Sequence, residues 1–180
     1  MDRFLICLPF TLAQECPFPN DWSNPRNFSN DAHDPGGETM CGIIQREYDE
    51  WRKSHGELTQ DFRNLTKAEG EQIYKANYWL PDCTRLVPGM DMVFFDSSVN
   101  EGVTEAVKIL QASLGIANDG KWGPATNGAV VSISDVSAAI SAFTARRETV
   151  YREMNGFQYF GMDWIRRSSE INTAALAMVA

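Results

Sequence analysis

Residues 4–22 read "FLICLPFTLAQECPFPNDW". Phe4, Leu5, Leu8 and Leu12 recur at helical intervals, so the spacing predicts a helix with one buried stripe. Pro9 would bend or restart that helix, and Pro17 pushes Cys16 out of helical conformation, which leaves Glu15 at the carboxyl end. The aligned peptide dipoles give that end partial negative charge. A carboxyl group held there is where a general acid would be useful.

Outward from this helix, residues 17–38, "PFPNDWSNPRNFSNDAHDPGGE", show no periodicity and are dense in Pro, Asn, Asp, Ser and Gly. A loop of that length in a compact domain is usually functional or disordered. Within it, "DPGG" at 34–37 is a turn, with Pro35 setting the first dihedral pair. In "IIQREYDEWRKSHG", Ile43, Ile44, Tyr48 and Trp51 share a helical face closed by Gly56. "TKAE", Thr66 to Glu69, is a capping box that opens a helix containing Ile73 and Tyr74. "GMDMVFFDSSVNEG", 89–102, reads as a buried apolar helix carrying Asp96 and Asn100. Four more helical stretches follow, over about 101–114 with Val103, Val107, Leu110 and Leu114 on one face, from about Pro124, from a cap at Ser134 or Asp135 to about Met154, and over about 162–178. No run alternates as a strand does, so the expected class is mainly α.

The chain has 180 residues, 43% apolar and 22% charged, with net charge −8. It is long enough for one good core or two small lobes. No basic stripe is present to displace counterions from phosphates, which argues against a nucleic-acid partner. Recognition of an anionic wall polymer would have to be local, because so acidic a chain is not steered toward it. No apolar run is long enough to span a bilayer. The amino terminus lacks a small-x-small cleavage site, so synthesis in the cytoplasm without a signal peptide is expected. Cys7, Cys16, Cys41 and Cys83 match no CxxC motif and read as reduced, partly buried thiols; a Cys16–Cys41 bridge across the proline loop is the alternative. Neither His33 nor His55 stands at a zinc-ligand spacing from them.

"LPFTLAQE", then "FSNDAHDPGGETMCGI", "YW", "FFDSSVNEG", "AVKILQASLGIANDGKWGPAT" and "YREM" follow one another in an order that resembles glycoside hydrolase family 108. The most specific pieces are Asp34–Thr39, Asp96–Gly102 and Asp119–Thr126. The resemblance covers nearly the whole chain and implies a lysozyme-like helical fold with a small helical carboxyl-terminal lobe. It divides the chain into a catalytic region, 1–85, and a peptidoglycan-binding region, 86–180. The implied activity is that of an N-acetylmuramidase, as in phage endolysins and secretion-type muramidases, which cleaves the β-1,4 bond from N-acetylmuramic acid to N-acetylglucosamine. Peptidoglycan glycan strands would be the partner of a monomeric enzyme that needs no metal or organic cofactor. It would act on the wall after release, from the periplasm of a Gram-negative host.

By the same resemblance Glu15 matches the catalytic acid, with Asp34 and Thr39 as its partners. The chemistry agrees, since glycoside hydrolysis takes one protonated carboxyl and a second, ionised group. Thr39 would hold the water; its plain reading is a helix cap, and that of Asp34 is a turn residue, with Asp31 as the substitute. Trp22, with Phe18 and Phe28, would stack on sugar rings as a lid or else pack on the core. Asp96 and Asn100, four apart on one helix face, would touch substrate or else form a structural network. The sequence departs from the family where Gly-Gly-Tyr should follow the glutamate, and "CPFPNDWSNPRN" stands there instead. Either an insertion follows the acid Glu15, or the ungapped position falls on Pro25-Arg26-Asn27 and the acid is lost. A lytic transglycosylase, which keeps Glu15 but needs no second carboxylate, and a non-catalytic wall-binding protein are the rival readings.

Overall fold

The computed structural model describes residues 2–30, 37–80 and 82–180. Among these are eight α-helices and one two-stranded antiparallel sheet, so the class is mainly α as expected. They form two compact units, Leu8–Asn77 and the remainder, Met1–Cys7 with Tyr78–Ala180. The first residues join the carboxyl-terminal unit. Their contacts explain why. The Phe4 ring lies edge-on to Trp79 and Phe95, each at 5.8 Å, and Arg3 makes a two-pronged ion pair with Asp91 at 2.8 Å.

Helix α1, Arg3–Glu15, runs unbroken through Pro9. Phe4, Leu8 and Leu12 are buried as the periodicity requires, but Leu5 is 56% exposed. Cys7 and Thr11 are buried in its place, so the buried stripe is rotated from the expected one. The smaller unit continues with a 3-10 turn at Pro25–Asn27, strands β1, Phe28–Ser29, and β2, Thr39–Met40, then helices α2, Gln45–Ser54, and α3, Lys67–Tyr74. The strands pair Phe28 with Met40 and Ser29 with Thr39. Two residues per strand are too few to show alternation, so no strand pattern is visible in the sequence. The capping box at the start of α3 forms as expected: the Thr66 hydroxyl accepts from the Glu69 amide and the Glu69 carboxylate accepts from the Thr66 amide. Glu69 also accepts from the Arg52 guanidinium at 2.7 Å and the Tyr48 hydroxyl at 3.0 Å, tying α2 to α3.

The proline loop is held from inside by Asn27. Its buried amide accepts from the Phe18 N–H at 2.8 Å and donates to the Asp21 carbonyl at 2.8 Å. Loop backbone that has left water needs such partners, and one side chain supplies several of them here.

In the larger unit, α4, Met90–Glu101, packs against α5, Val103–Ser113, α7, Val136–Glu153, and α8, Phe157–Leu176. The short α6, Pro124–Val131, begins on a proline, as the sequence suggests. Helix α4 is buried nearly all round, from Met90 to Ser98, and its polar residues must therefore find partners within the protein.

Candidate active site

Glu15 is the last residue of α1. The amide of Cys16 makes a final helical bond to the Leu12 carbonyl at 2.8 Å, and Pro17, with no N–H, cannot extend it. The sulfur of Cys16 is bonded to that of Cys41. Only Cys7 and Cys83 are free, so the reading of four reduced thiols is corrected for the other two. Burial raises both free thiols, that of Cys7 to about 12, and so keeps them protonated at neutral pH.

Cys41 lies in a two-residue hairpin turn. Met40 and Ile43 exchange backbone hydrogen bonds of 2.9 and 3.0 Å around it, and Cys41 and Gly42 have φ of 47° and 75°. Positive φ at both central residues suits the right-handed twist of a hairpin, and glycine at the second position adopts it without strain. Cys41 is the one non-glycine residue with positive φ among the described residues. The Tyr74 hydroxyl, from the end of α3, donates to the Cys41 carbonyl at 2.7 Å.

These elements converge at Gly42. A Cβ built on it would stand 2.7 Å from the Tyr74 hydroxyl, 2.9 Å from Glu15 Oε2 and 3.2 Å from Glu15 Cβ. The space a side chain would need is thus filled by the Glu15 carboxylate and the Tyr74 hydroxyl. Thr39 lies in β2, two residues before the turn, and is half-buried. It does not cap α2, because the residue at that cap is Ile44. The sequence reading missed Tyr74 and Gly42 as neighbours of Glu15. A glycine flanked by Met40-Cys41 and Ile43 was the available hairpin signal. Asp34, with its substitute Asp31, lies outside the described residues.

The other expected site residues lie elsewhere. Trp22 is 4% exposed, and its ring fills the place of a side chain on Gly70, with the nearest carbon 2.0 Å from a built Cβ. Its indole N–H donates to the Pro19 carbonyl at 2.9 Å. It is a core residue that pins the proline loop, the second of the two placements expected for it. Asp96 has no exposed surface. It receives Arg147 Nη1 at 2.8 Å and Arg167 Nη2 at 2.9 Å, while Arg147 Nε reaches Glu101 at 2.8 Å. Burial pushes the Asp96 carboxyl up, but Arg167 and Arg147 outweigh it and hold it at about 2. Asn100 accepts from the Tyr151 hydroxyl at 2.8 Å. Asp96 belongs to a buried network joining α4, α7 and α8, and the half-buried Asn100 ties α4 to α7 beside it.

Among the described residues, no three His, Cys, Asp or Glu side chains gather where they could hold a metal ion. Nor is any helix there long and apolar enough to cross a membrane.

The described residues form a mainly α, lysozyme-like fold, with a small hairpin set beside a helix that ends in glutamate. Residues 23–102 match the family model described as glycosyl hydrolase 108. The fold is similar to that in "Structure of Brucella abortus SagA", with 27% identity, a TM-score of 0.80, and coverage of 98% of this chain and 95% of that one. No curated protein matches the chain.

Proposed function

We propose that the protein is an N-acetylmuramidase that cleaves the β-1,4 bond between N-acetylmuramic acid and N-acetylglucosamine, with Glu15 as general acid. The observation that carries this is the Glu15 carboxylate, held at the end of α1 against Gly42 in the turn that follows Thr39. Glu15 would donate a proton to the leaving glycosidic oxygen. Asp34 would be the ionised partner and Thr39 would orient the attacking water, roles that rest on the order of these residues in the family. The enzyme would act as a monomer on glycan strands outside the cytoplasm, and the Cys16–Cys41 disulfide supports an oxidising compartment such as the periplasm.

One observation favours a second reading. The family match begins at Ser23, past Glu15, as it would if the acid position fell on Pro25-Arg26-Asn27 and the protein only bound the wall. Reducing-end release from purified sacculi by wild type and Glu15→Gln, with mass spectrometry of the fragments, separates the two. The muramidase reading expects reducing muramic ends from wild type and at least a hundredfold fewer from the variant. Binding without cleavage by both proteins would favour the wall-binding reading, and anhydro products from wild type would identify a transglycosylase.

A further inference from the structure

We propose that the Cys16–Cys41 disulfide is a positioning latch for the Glu15 carboxylate, so that the chain gains glycan-cleaving activity only once this bond has formed. The inference rests on the assignment of Glu15 as the acid. Cys16 directly follows Glu15, and Cys41 directly precedes Gly42, against which the Glu15 carboxylate lies. The bond therefore joins the two backbone segments that set the position of that carboxylate. The last helical hydrogen bond of α1 is the one from Cys16, followed at once by Pro17. A helix end of that kind frays readily.

The opposite side of the turn is fixed separately. The Tyr74 hydroxyl donates to the Cys41 carbonyl at 2.7 Å and anchors the turn to the end of α3, while the sulfur bond joins that turn to the end of α1. The two cysteines lie 25 residues apart in sequence, with the whole proline loop between them. Closing a loop of that length by a covalent bond removes much of the freedom of its ends. Both sulfur-bearing residues are fully buried, so reductants reach the bond poorly once it exists. The latch thus works in one direction. Two thiols lose two protons and two electrons as the sulfur–sulfur bond forms, and a disulfide-class oxidant takes them up and becomes a dithiol. A chain made in a reducing compartment would stay idle until it meets such an oxidant. Cys7 and Cys83 take no part, being unbonded.

The test compares full-length protein purified under reductant and never oxidised, the same sample after treatment with oxidised glutathione, Cys16→Ser/Cys41→Ser, and Cys7→Ala/Cys83→Ala. Each is assayed on purified sacculi for kcat and KM, with far-UV circular dichroism alongside and oxidised Glu15→Gln as the baseline. The latch predicts native helix content throughout, a kcat at least tenfold lower in the reduced protein and in Cys16→Ser/Cys41→Ser, and KM within twofold. Oxidation should restore kcat in wild type and in Cys7→Ala/Cys83→Ala, but not in Cys16→Ser/Cys41→Ser. Reduced protein with kcat within twofold of oxidised overturns the latch and leaves Glu15 as the acid. Loss of helix content on reduction also overturns it, because the bond would then maintain the fold and not the carboxylate. Oxidised wild type no more active than Glu15→Gln overturns the assignment of Glu15, and the latch with it.

Discussion

Gly42→Ala places a methyl group where two oxygen atoms already stand. Its Cβ would lie 2.7 Å from the Tyr74 hydroxyl and 2.9 Å from Glu15 Oε2. Carbon and oxygen approach without strain to about 3.3 Å, so each oxygen must retreat by about 0.5 Å. The backbone at φ +75° adds about 1–2 kcal/mol for any residue with a Cβ. Loosening the Tyr74 bond to the Cys41 carbonyl adds about 1 kcal/mol. A stability loss of about 2–3 kcal/mol follows, measured by urea unfolding. If a misplacement of about 1 Å at a catalytic group costs about a hundredfold, the half-ångström shift of Glu15 should cost about tenfold in reducing-end release per folded molecule. Gly56→Ala is the control, because its φ is +73° and a Cβ there meets nothing within 4 Å. That variant should lose about 1–2 kcal/mol and keep its activity. Activity of Gly42→Ala within twofold of Gly56→Ala would refute the placement of the acid against Gly42.

Asp96→Ala should cost about 3–5 kcal/mol by urea unfolding, since it leaves Arg147 and Arg167 buried without their carboxylate, while binding of the folded fraction to sacculi stays unchanged. The folded Asp96 carboxyl lies at about 2, below its ordinary value near 3.8, so its contribution is full above about pH 4 and is lost as pH falls toward 2. Acid titration of stability should show that component in wild type and not in Asp96→Asn. Trp22→Ala should cost about 3–5 kcal/mol by thermal or urea unfolding, because it empties the space beneath Gly70. A Trp22→Ala protein of normal stability that no longer binds wall fragments would return the residue to the substrate.

Much of the fold was legible because it is written in local signals. Pro17 ends the first helix, Thr66 and Glu69 cap another, Gly56 and Gly115 close helices with positive φ, and Asp135 caps α7 with its side chain on the Ala138 amide. The unread features depend on partners far along the chain. Trp22 is a core residue because Gly70 leaves room for its ring, and no local pattern pairs those two positions. Asp96 is satisfied by arginines 51 and 71 residues away. Its spacing from Asn100 showed a shared face but not what that face meets. Leu5 lost its place in the stripe because Cys7 and Thr11, small enough to pack closely, took the buried side. At the candidate site Glu15 was visible as a helix-terminal carboxylate. The turn it faces was not, because a two-residue strand and a Cys-Gly pair carry little periodicity.

The buried charge cluster sets a limit on modular engineering. Glycosyl hydrolase 108 sequence similarity ends at Gly102, and a designer of chimeric lytic enzymes would be tempted to cut there. Asp96 and Glu101 lie before that cut, whereas Arg147 and Arg167 lie beyond it. An excised 23–102 fragment would carry two carboxylates stripped of their cations and an exposed apolar α4, and it would also leave behind Arg3, the partner of Asp91. The transferable piece is therefore the whole chain, and grafting should be done at its ends.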